Sequence, residues 1–270
     1  MLPLTTIPEA PATPGPLGIV TALPEERRAI LTVARPVRRE KVDGLLIHDA
    51  LLADRLICLV EGGMGAEAAS RAAALLIKAR RPRLLLSAGF CGAIRTGSIV
   101  GDTIICDRLL TLNAEGLSAP PPPEGSPSAA HLTSTLRSHG ITALAGSFIT
   151  TDRIVSKPEL AQKLPHDLPT PVLEMESAAV AAAAAAAHLP FLGFRTVSDD
   201  AAEELLFSLD ELTTANRISI PKVLMLCLTH PRTIPQLARL AANSAVAGKN
   251  LGLACRLLLP LLDSAGTSRP

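Results

Sequence analysis

The chain is poor in aromatic residues: its 270 positions hold five Phe and neither Trp nor Tyr. Core volume must therefore come from Leu, Ile, Val and Ala, and a site that stacks bases on rings has few rings to use. Net charge is nearly absent as well. With 26 Lys and Arg against 25 Asp and Glu, the formal charge of +1 gives no electrostatic reason to expect a nucleic-acid partner. The five cysteines (Cys58, Cys91, Cys106, Cys227, Cys255) are odd in number and show no CxxC spacing. Neither a disulfide framework nor a zinc site is expected, and reduced thiols point to the cytoplasm. The His residues have no metal-ligand spacing and no Ser sits in a GxSxG elbow, so no metal or cofactor is expected. Residues 1–16, MLPLTTIPEAPATPGP, lack a basic n-region and a continuous apolar core, and read as a disordered lead-in rather than a signal peptide. No uncharged apolar run of membrane-spanning length occurs either.

What the chain does contain is alternation. GIVTAL (Gly18 to Leu23) reads as a buried strand, with a helix starting at or just after Pro24 and Glu25 and Glu26 in its first turn. Leu45 to Leu52 and Leu56 to Glu61 read as a hairpin turning at Ala53 and Asp54. A glycine-rich turn, GGMG (Gly62 to Gly65), then leads into a helix. Such a turn can offer backbone N–H groups to an anion or a sugar hydroxyl. Arg83 to Ala88 is a second buried strand, entering another glycine-rich loop, GFCGAIRTGSIVGD, and Asp102 to Cys106 resumes a strand. Residues 113–131, with four consecutive prolines, read as a surface loop of a length that would suit a lid. A helix over Leu132 to Ser138, a strand over Ile141 to Thr151 and a short helix over Lys157 to Leu164 follow.

The alternation predicts one layered α/β domain over residues 17–230. Beyond Asp200 the chain reads as helical, with one candidate over Leu209 to Leu228 and one or two more over Thr233 to Leu262, interrupted near Gly248 and Gly252. The tail, residues 231–270, reads as a helical extension. Its apolar stripe packs on its own domain or a second subunit, with peripheral membrane contact as the alternative.

The chemistry concentrates between Val172 and Asp200. A short strand, Pro171 to Met175, puts Glu174 and Glu176 on one face by period-2 alternation. An alanine-rich helix runs from Ser177 to Ala187, and a strand from Phe191 to Val197 delivers Ser198, Asp199 and Asp200 at its carboxyl end. Ligands of open α/β sheets sit outside such ends, so a strand-helix-strand unit would bring Glu176 and Asp199 to one crevice. With Glu26 they make three acids near strand ends. That set suits cleavage of an N-glycosidic bond, where a leaving base needs a proton, an oxocarbenium-like sugar needs its hydroxyls held, and a nucleophile needs orienting.

The ordered segments GIVTALPEE, GGMGAEAA, SAGFCGAI, VGDTIICD, GSFITTDRIV, VLEMESAAVA and FRTVSDDA resemble the purine nucleoside phosphorylase and nucleosidase superfamily. The likeness covers Gly18 to Leu212 and is strongest to the 5'-methylthioadenosine/S-adenosylhomocysteine nucleosidases. It implies a twisted mixed central sheet flanked by helices, a small nucleoside substrate and a homo-oligomer. It further implies Asp199 as the acid assisting protonation of purine N7, Glu176 as the holder of the ribose 2'- and 3'-hydroxyls, and Glu26 as the carboxylate orienting the attacking water. Met175 would pack on the ribose, and Ile154, Val155, Phe90, Leu209 and Ser198 would complete the substrate contacts. Ile154 and Leu209 stand where the nucleosidases carry aromatic residues, so the pocket would have aliphatic walls. Ser87 and Phe90 stand where bacterial phosphorylases place an arginine and a serine for phosphate, which favours water as nucleophile.

Arg27, Arg28 and Arg95 are the cations whose reach would discriminate water from phosphate. The tail also resembles the hopanoid-associated phosphorylases, with an apolar pocket around Leu205, Leu206 and Phe207. The expected reaction is hydrolysis of an adenine nucleoside with an apolar or bulky 5'-substituent. The alternatives are phosphorolysis of an adenosyl-lipid, with inorganic phosphate as co-substrate, and a catalytically silent nucleoside-binding module.

Overall fold

The computed structural model describes residues 15–153, 155–201, 213–214, 217–218, 226 and 229–266. The first strand, β1 (Leu17–Thr21), is buried along its whole length and runs into α1 (Pro24–Thr32), as the apolar run and Pro24 predict. The hairpin forms at the expected place: β3 (Leu45–Leu52) and β4 (Arg55–Glu61) meet at Ala53 and Asp54, both with positive φ. Before it lies a strand that the sequence reading omits, β2 (Arg35–Val42), paired antiparallel to β3. Its charged, exposed side chains and its Pro36 bulge hide it from an apolar-alternation test, and those features suit an unpaired sheet edge.

The chain continues through α2 (Ala66–Arg80), β5 (Leu84–Ala93), β6 (Thr103–Asn113), β7 (Gly116–Ser118), α3 (Ala129–Ser138) and β8 (Ala143–Thr151). Then come α4 (Lys157–Lys163), β9 (Pro171–Glu174), α5 (Ser177–Ala186) and β10 (Phe191–Asp199). One mixed ten-stranded sheet results, in the order β10-β6-β8-β9-β5-β1-β4-β3-β2 with β7 on β6. Because β10 also pairs with β5, the strands β5, β10, β6, β8 and β9 close on themselves. The expected strand-helix-strand unit needs correcting here. β10 runs parallel to β5 but β9 runs antiparallel to it, touching only at Gly92↔Leu173 and Ala93↔Val172. Glu176 and Asp199 meet because both strands end at the carboxyl end of β5.

Helices cover both faces. On one, α2 and α5 pack together over Val20, Leu76, Leu85 and Val180. On the other, α1 and the C-terminal helix α6 (Ile234–Leu258) lie over Ile19, Leu86 and Phe194. Thr213–Thr214 and Arg217–Ile218 form two short antiparallel strands, β11 and β12, where the sequence reading expects helix; three of those four residues are β-branched. The rest of the Leu209 to Leu228 candidate lies outside the described residues, apart from Leu226, as do Leu205, Leu206 and Phe207.

Helix α6 is unbroken, so Gly248 and Gly252 do not interrupt it. It buries Ala247, Leu251, Ala254, Cys255 and Leu258, a stripe at helical spacing that packs on its own domain. The segment Ile234–Leu262 is long and apolar enough to cross a membrane by length and composition, which the sequence reading did not anticipate; its buried side instead belongs to the main core. Gly252 is there for close approach: an added Cβ would stand 2.8 Å from the Ala29 carbonyl oxygen of α1, whereas one at Gly248 would meet nothing nearer than 3.7 Å. Gly252→Ala should therefore lower the unfolding free energy by about 1–2 kcal/mol, since the clash outweighs the gain in helix propensity. Gly248→Ala should raise it by up to about 1 kcal/mol. Urea titrations of the two variants check the contrast.

The Pro-rich segment does not cover the carboxyl end of β5. It packs at the opposite end of β10, where the Phe191 N–H donates to Ser126 Oγ at 3.1 Å, and encloses a separate cavity with Cys106, Leu110 and Leu168. In this conformation it is not a lid over the site, because its proline run seats against the start of β10 rather than its end.

Candidate active site

A cavity of roughly 520 Å³ opens at the carboxyl ends of β1, β5, β9 and β10. Glu26, Glu176 and Asp199 all line it. So do Met175, Val155, Phe90 and Ser198, whereas Ile154 and Leu209 lie outside the described residues.

Glu26 is the third residue of α1 and turns back over the helix start, where its Oε2 accepts from Ala22 N–H at 2.8 Å and Leu23 N–H at 2.9 Å. The helix-capping role of a first-turn carboxylate is thus real. Its other oxygen, however, crosses to the carboxyl half of β5, where the start of the second glycine-rich stretch continues the strand instead of looping out as the sequence suggests, and accepts from Phe90 N–H at 2.7 Å. The strand comes this close because residue 89 is glycine; a Cβ there would sit 2.4 Å from Glu26 Oε1. Burial pushes Glu26 up to about 7; Arg195 opposes the shift, Glu176 adds to it, and the N–H groups of Leu23 and Phe90 oppose it.

Glu176 sits between β9 and α5. Its Oε1 accepts from Gly65 N–H at 2.8 Å, so the first glycine-rich turn does present a backbone N–H to an anion, and that anion is the protein's own carboxylate. Its Oε2 lies 3.1 Å from Arg195. Burial raises the Glu176 pKa against the pull of Arg195, with Glu174 adding to the rise. Glu174 shares the face, as the period-2 reading expects. It pairs with Arg195 at 2.6 Å, accepts from the Thr150 hydroxyl, and takes the N–H groups of Glu176 and Ser177 at 2.9 and 2.7 Å. Arg195 is 3% exposed and also donates to the Phe90 carbonyl at 2.8 Å. Although burial alone works against its charge, Glu174, Glu176 and Glu26 hold Arg195 above the usual arginine range.

Asp199 lies at the end of β10, where Ser198 Oγ donates to its Oδ1 at 2.9 Å and Lys157 Nζ contacts its Oδ2. Glu174, Arg195 and Lys157 are absent from the expected site residues. Arg195 left a signal, a cation inside the apolar run FLGFRTV, which a buried strand tolerates only when paired. Lys157 left none, since a lysine opening a short helix is ordinarily solvated. Among the described residues no three His, Cys, Asp or Glu side chains converge as a metal site requires. The arrangement can do acid and base chemistry: two buried carboxylates tied through one arginine form one wall, and a third carboxylate on a lysine stands at the end of the neighbouring strand.

Comparison with known proteins identifies this architecture. The Phosphorylase superfamily model matches residues 16–226. Among curated relatives, the 5'-methylthioadenosine/S-adenosylhomocysteine nucleosidase of Glaesserella parasuis is 25% identical over 208 residues, 72% of this chain and 90% of its own. That of Listeria welshimeri is 26% identical over 211 residues, 72% and 91%. Among solved structures, the S-adenosylhomocysteine nucleosidase of Streptococcus pyogenes, in complex with 5-methylthiotubericidin, superposes with a TM-score of 0.69 at 20% identity over 94% of this chain and 99% of its own. The futalosine hydrolase of Helicobacter pylori superposes with a TM-score of 0.66 at 17% identity, covering 93% and 98%. With the family model spanning most of its length, the chain belongs to the phosphorylase superfamily and is an enzyme of the nucleosidase or nucleoside phosphorylase kind.

Proposed function

We propose that the enzyme hydrolyses the N-glycosidic bond of an adenine nucleoside bearing an apolar or bulky 5'-substituent and releases the free base. Asp199 delivers the proton that purine N7 takes as the bond to C1' breaks. Glu176 holds the ribose 2'- and 3'-hydroxyls and stabilises the cationic sugar, with Met175 against the ribose. Glu26 orients a water on C1' and accepts its proton.

The observation that carries this reading is the setting of Glu26: a buried carboxylate on the cavity wall, fixed by three backbone N–H groups, with a pKa raised to about 7. Such a group is a base for water near neutral pH. A phosphate nucleophile would need uncommitted cations instead. Arg27 pairs with Glu61 at 2.8 Å, Arg28 is exposed outside the cavity, and Arg95 is spent on the carbonyls of Ala161, Leu164 and Pro165. Of the cations that line the cavity, Arg195 and Lys157 are already paired with carboxylates, and Arg153 is exposed at its rim. Met64, Val155 and Leu173 supply an apolar wall suited to an apolar 5'-group, and the relatives' names support adenine as the base.

Adenine release is measured from methylthioadenosine, S-adenosylhomocysteine, adenosine and an adenosyl-lipid analogue, each with and without phosphate. Release without phosphate is expected. Release only with phosphate overturns hydrolysis in favour of a phosphorylase, and no release from any of them overturns the adenine assignment.

A further inference from the structure

Lys157 is the least expected member of the site. It is 9% exposed, lines the cavity, and directs its ammonium at two acceptors, Asp199 Oδ2 and the Asp200 carbonyl at 2.7 Å. The strand opposite makes room for it: a Cβ on Gly92 would stand 2.7 Å from Asp199 Oδ2 and 3.0 Å from Lys157 Cε. With Ser198 Oγ on Oδ1 and Lys157 on Oδ2, each oxygen of the Asp199 carboxylate already accepts a hydrogen bond. The two donors hold the carboxylate in place as an acceptor, and a proton passed from it to a leaving base has to be replaced from a donor beside it. Of the two donors on that carboxylate, Nζ is the cation, with three protons to share.

From this geometry we infer that Lys157 is the positioning residue and proton source for the acid at Asp199, an inference that rests on the role proposed above for Asp199. The step balances as follows. The C1'–N9 bond breaks with its electron pair passing into the purine, and N7 takes a proton from Asp199. Asp199 takes one from Lys157, which is left as the neutral amine and is recharged from solvent. The water that adds to C1' gives its proton to Glu26. The ion pair thus serves two ends: its charges fix the carboxylate in the cavity, and its proton neutralises the leaving base.

The test compares wild type, Lys157→Ala and Lys157→Arg on whichever adenine nucleoside the wild type cleaves. In both variants kcat should fall about 100-fold, the scale of lost acid assistance, while KM stays within about threefold. Arginine keeps the positive charge beside Asp199 but does not give up its proton, so a role in positioning alone predicts that Lys157→Arg is active. Added ethylamine should restore turnover of Lys157→Ala by about tenfold and leave Lys157→Arg unchanged. Wild-type kcat in Lys157→Arg, or a Lys157→Ala enzyme that no primary amine rescues, overturns the inference. Failure of the wild type itself to release adenine would instead strike the proposed function, so the two failures are distinguishable.

Discussion

The kcat/KM of the wild-type enzyme should climb about tenfold per pH unit through the acid range and level off above pH 7, and Glu26→Gln should abolish that limb. The sign follows from the role proposed for Glu26. A base must be ionised to take the proton of water, and burial, reinforced by Glu176 and opposed by Arg195 and the N–H groups of Leu23 and Phe90, holds Glu26 protonated up to about 7. At pH 5 only about one molecule in a hundred carries the active carboxylate. The glutamine variant should lose about 10²- to 10⁴-fold in kcat at pH 8, and what remains should be flat across the range in which the wild type rises. An unchanged limb in the variant would assign the titration to another group. The same shift is a stability statement. Because the folded pKa of Glu26, about 7, lies above the ordinary carboxyl value of 4.5, its stabilising contribution is complete below about 4.5 and is lost as pH rises through 7. The loss is on the order of 3 kcal/mol. Urea titrations of the wild type at pH 5 and pH 8 should show the lower stability at the higher pH.

Much of this frame was legible before any coordinates, and the reasons are local. GIVTA is apolar and β-branched, so β1 needs no tertiary information; Ala53 and Asp54 sit between two apolar runs, so the hairpin does not either. Three acids could be read as one site because each follows a strand or opens a helix, although the parallel-sheet rule behind that reading does not describe the antiparallel contact of β9 with β5 that brings Glu176 there. What stayed hidden depends on neighbours distant in sequence. The edge strand β2 carries solvent-facing charges, which a pattern test scores as loop. The four residues of β9 do not reveal that they run antiparallel to β5 and help close the sheet. Gly252 looks like a helix break until Ala29 is seen against it, and Lys157 looks like a surface lysine until Asp199 is. Arg195 was the readable exception, since a buried strand keeps a cation only for a partner, yet which carboxylates it would join is a property of the fold.

That arginine carries the largest stability effect expected here. Arg195 Nη2 lies 2.6 Å from Glu174 and 3.1 Å from Glu176, and the arginine and glutamate side chains concerned are all at least nine-tenths buried. Arg195→Met keeps much of the side-chain volume and removes the charge, leaving two carboxylates facing one another out of water. Breaking a buried ion pair from one side costs about 3–5 kcal/mol, far more than the intact network stabilises, because the carboxylates lose the counter-charge for which they gave up their hydration. For a chain of this size the melting temperature should fall by roughly 10 °C. The deficit should narrow in acid, since burial already pushes Glu176 up and the opposing pull of Arg195 is gone. Activity should fall further than stability accounts for. With no cation behind it, Glu176 is pushed further toward its neutral form, and under the role proposed for it the cationic sugar loses its negative partner, so kcat should drop at temperatures where the variant is still folded, with KM changing less. Arg195→Lys separates the two functions. A lysine can return a positive charge to Glu174 and Glu176, but its ammonium lacks the planar fork that also reaches the Phe90 carbonyl at 2.8 Å. It should therefore recover most of the melting temperature and little of kcat. Thermal melts at pH 5 and pH 8, set beside single-turnover rates, test both halves, and a lysine variant that recovers rate and stability together would show that charge alone is what the site requires of residue 195.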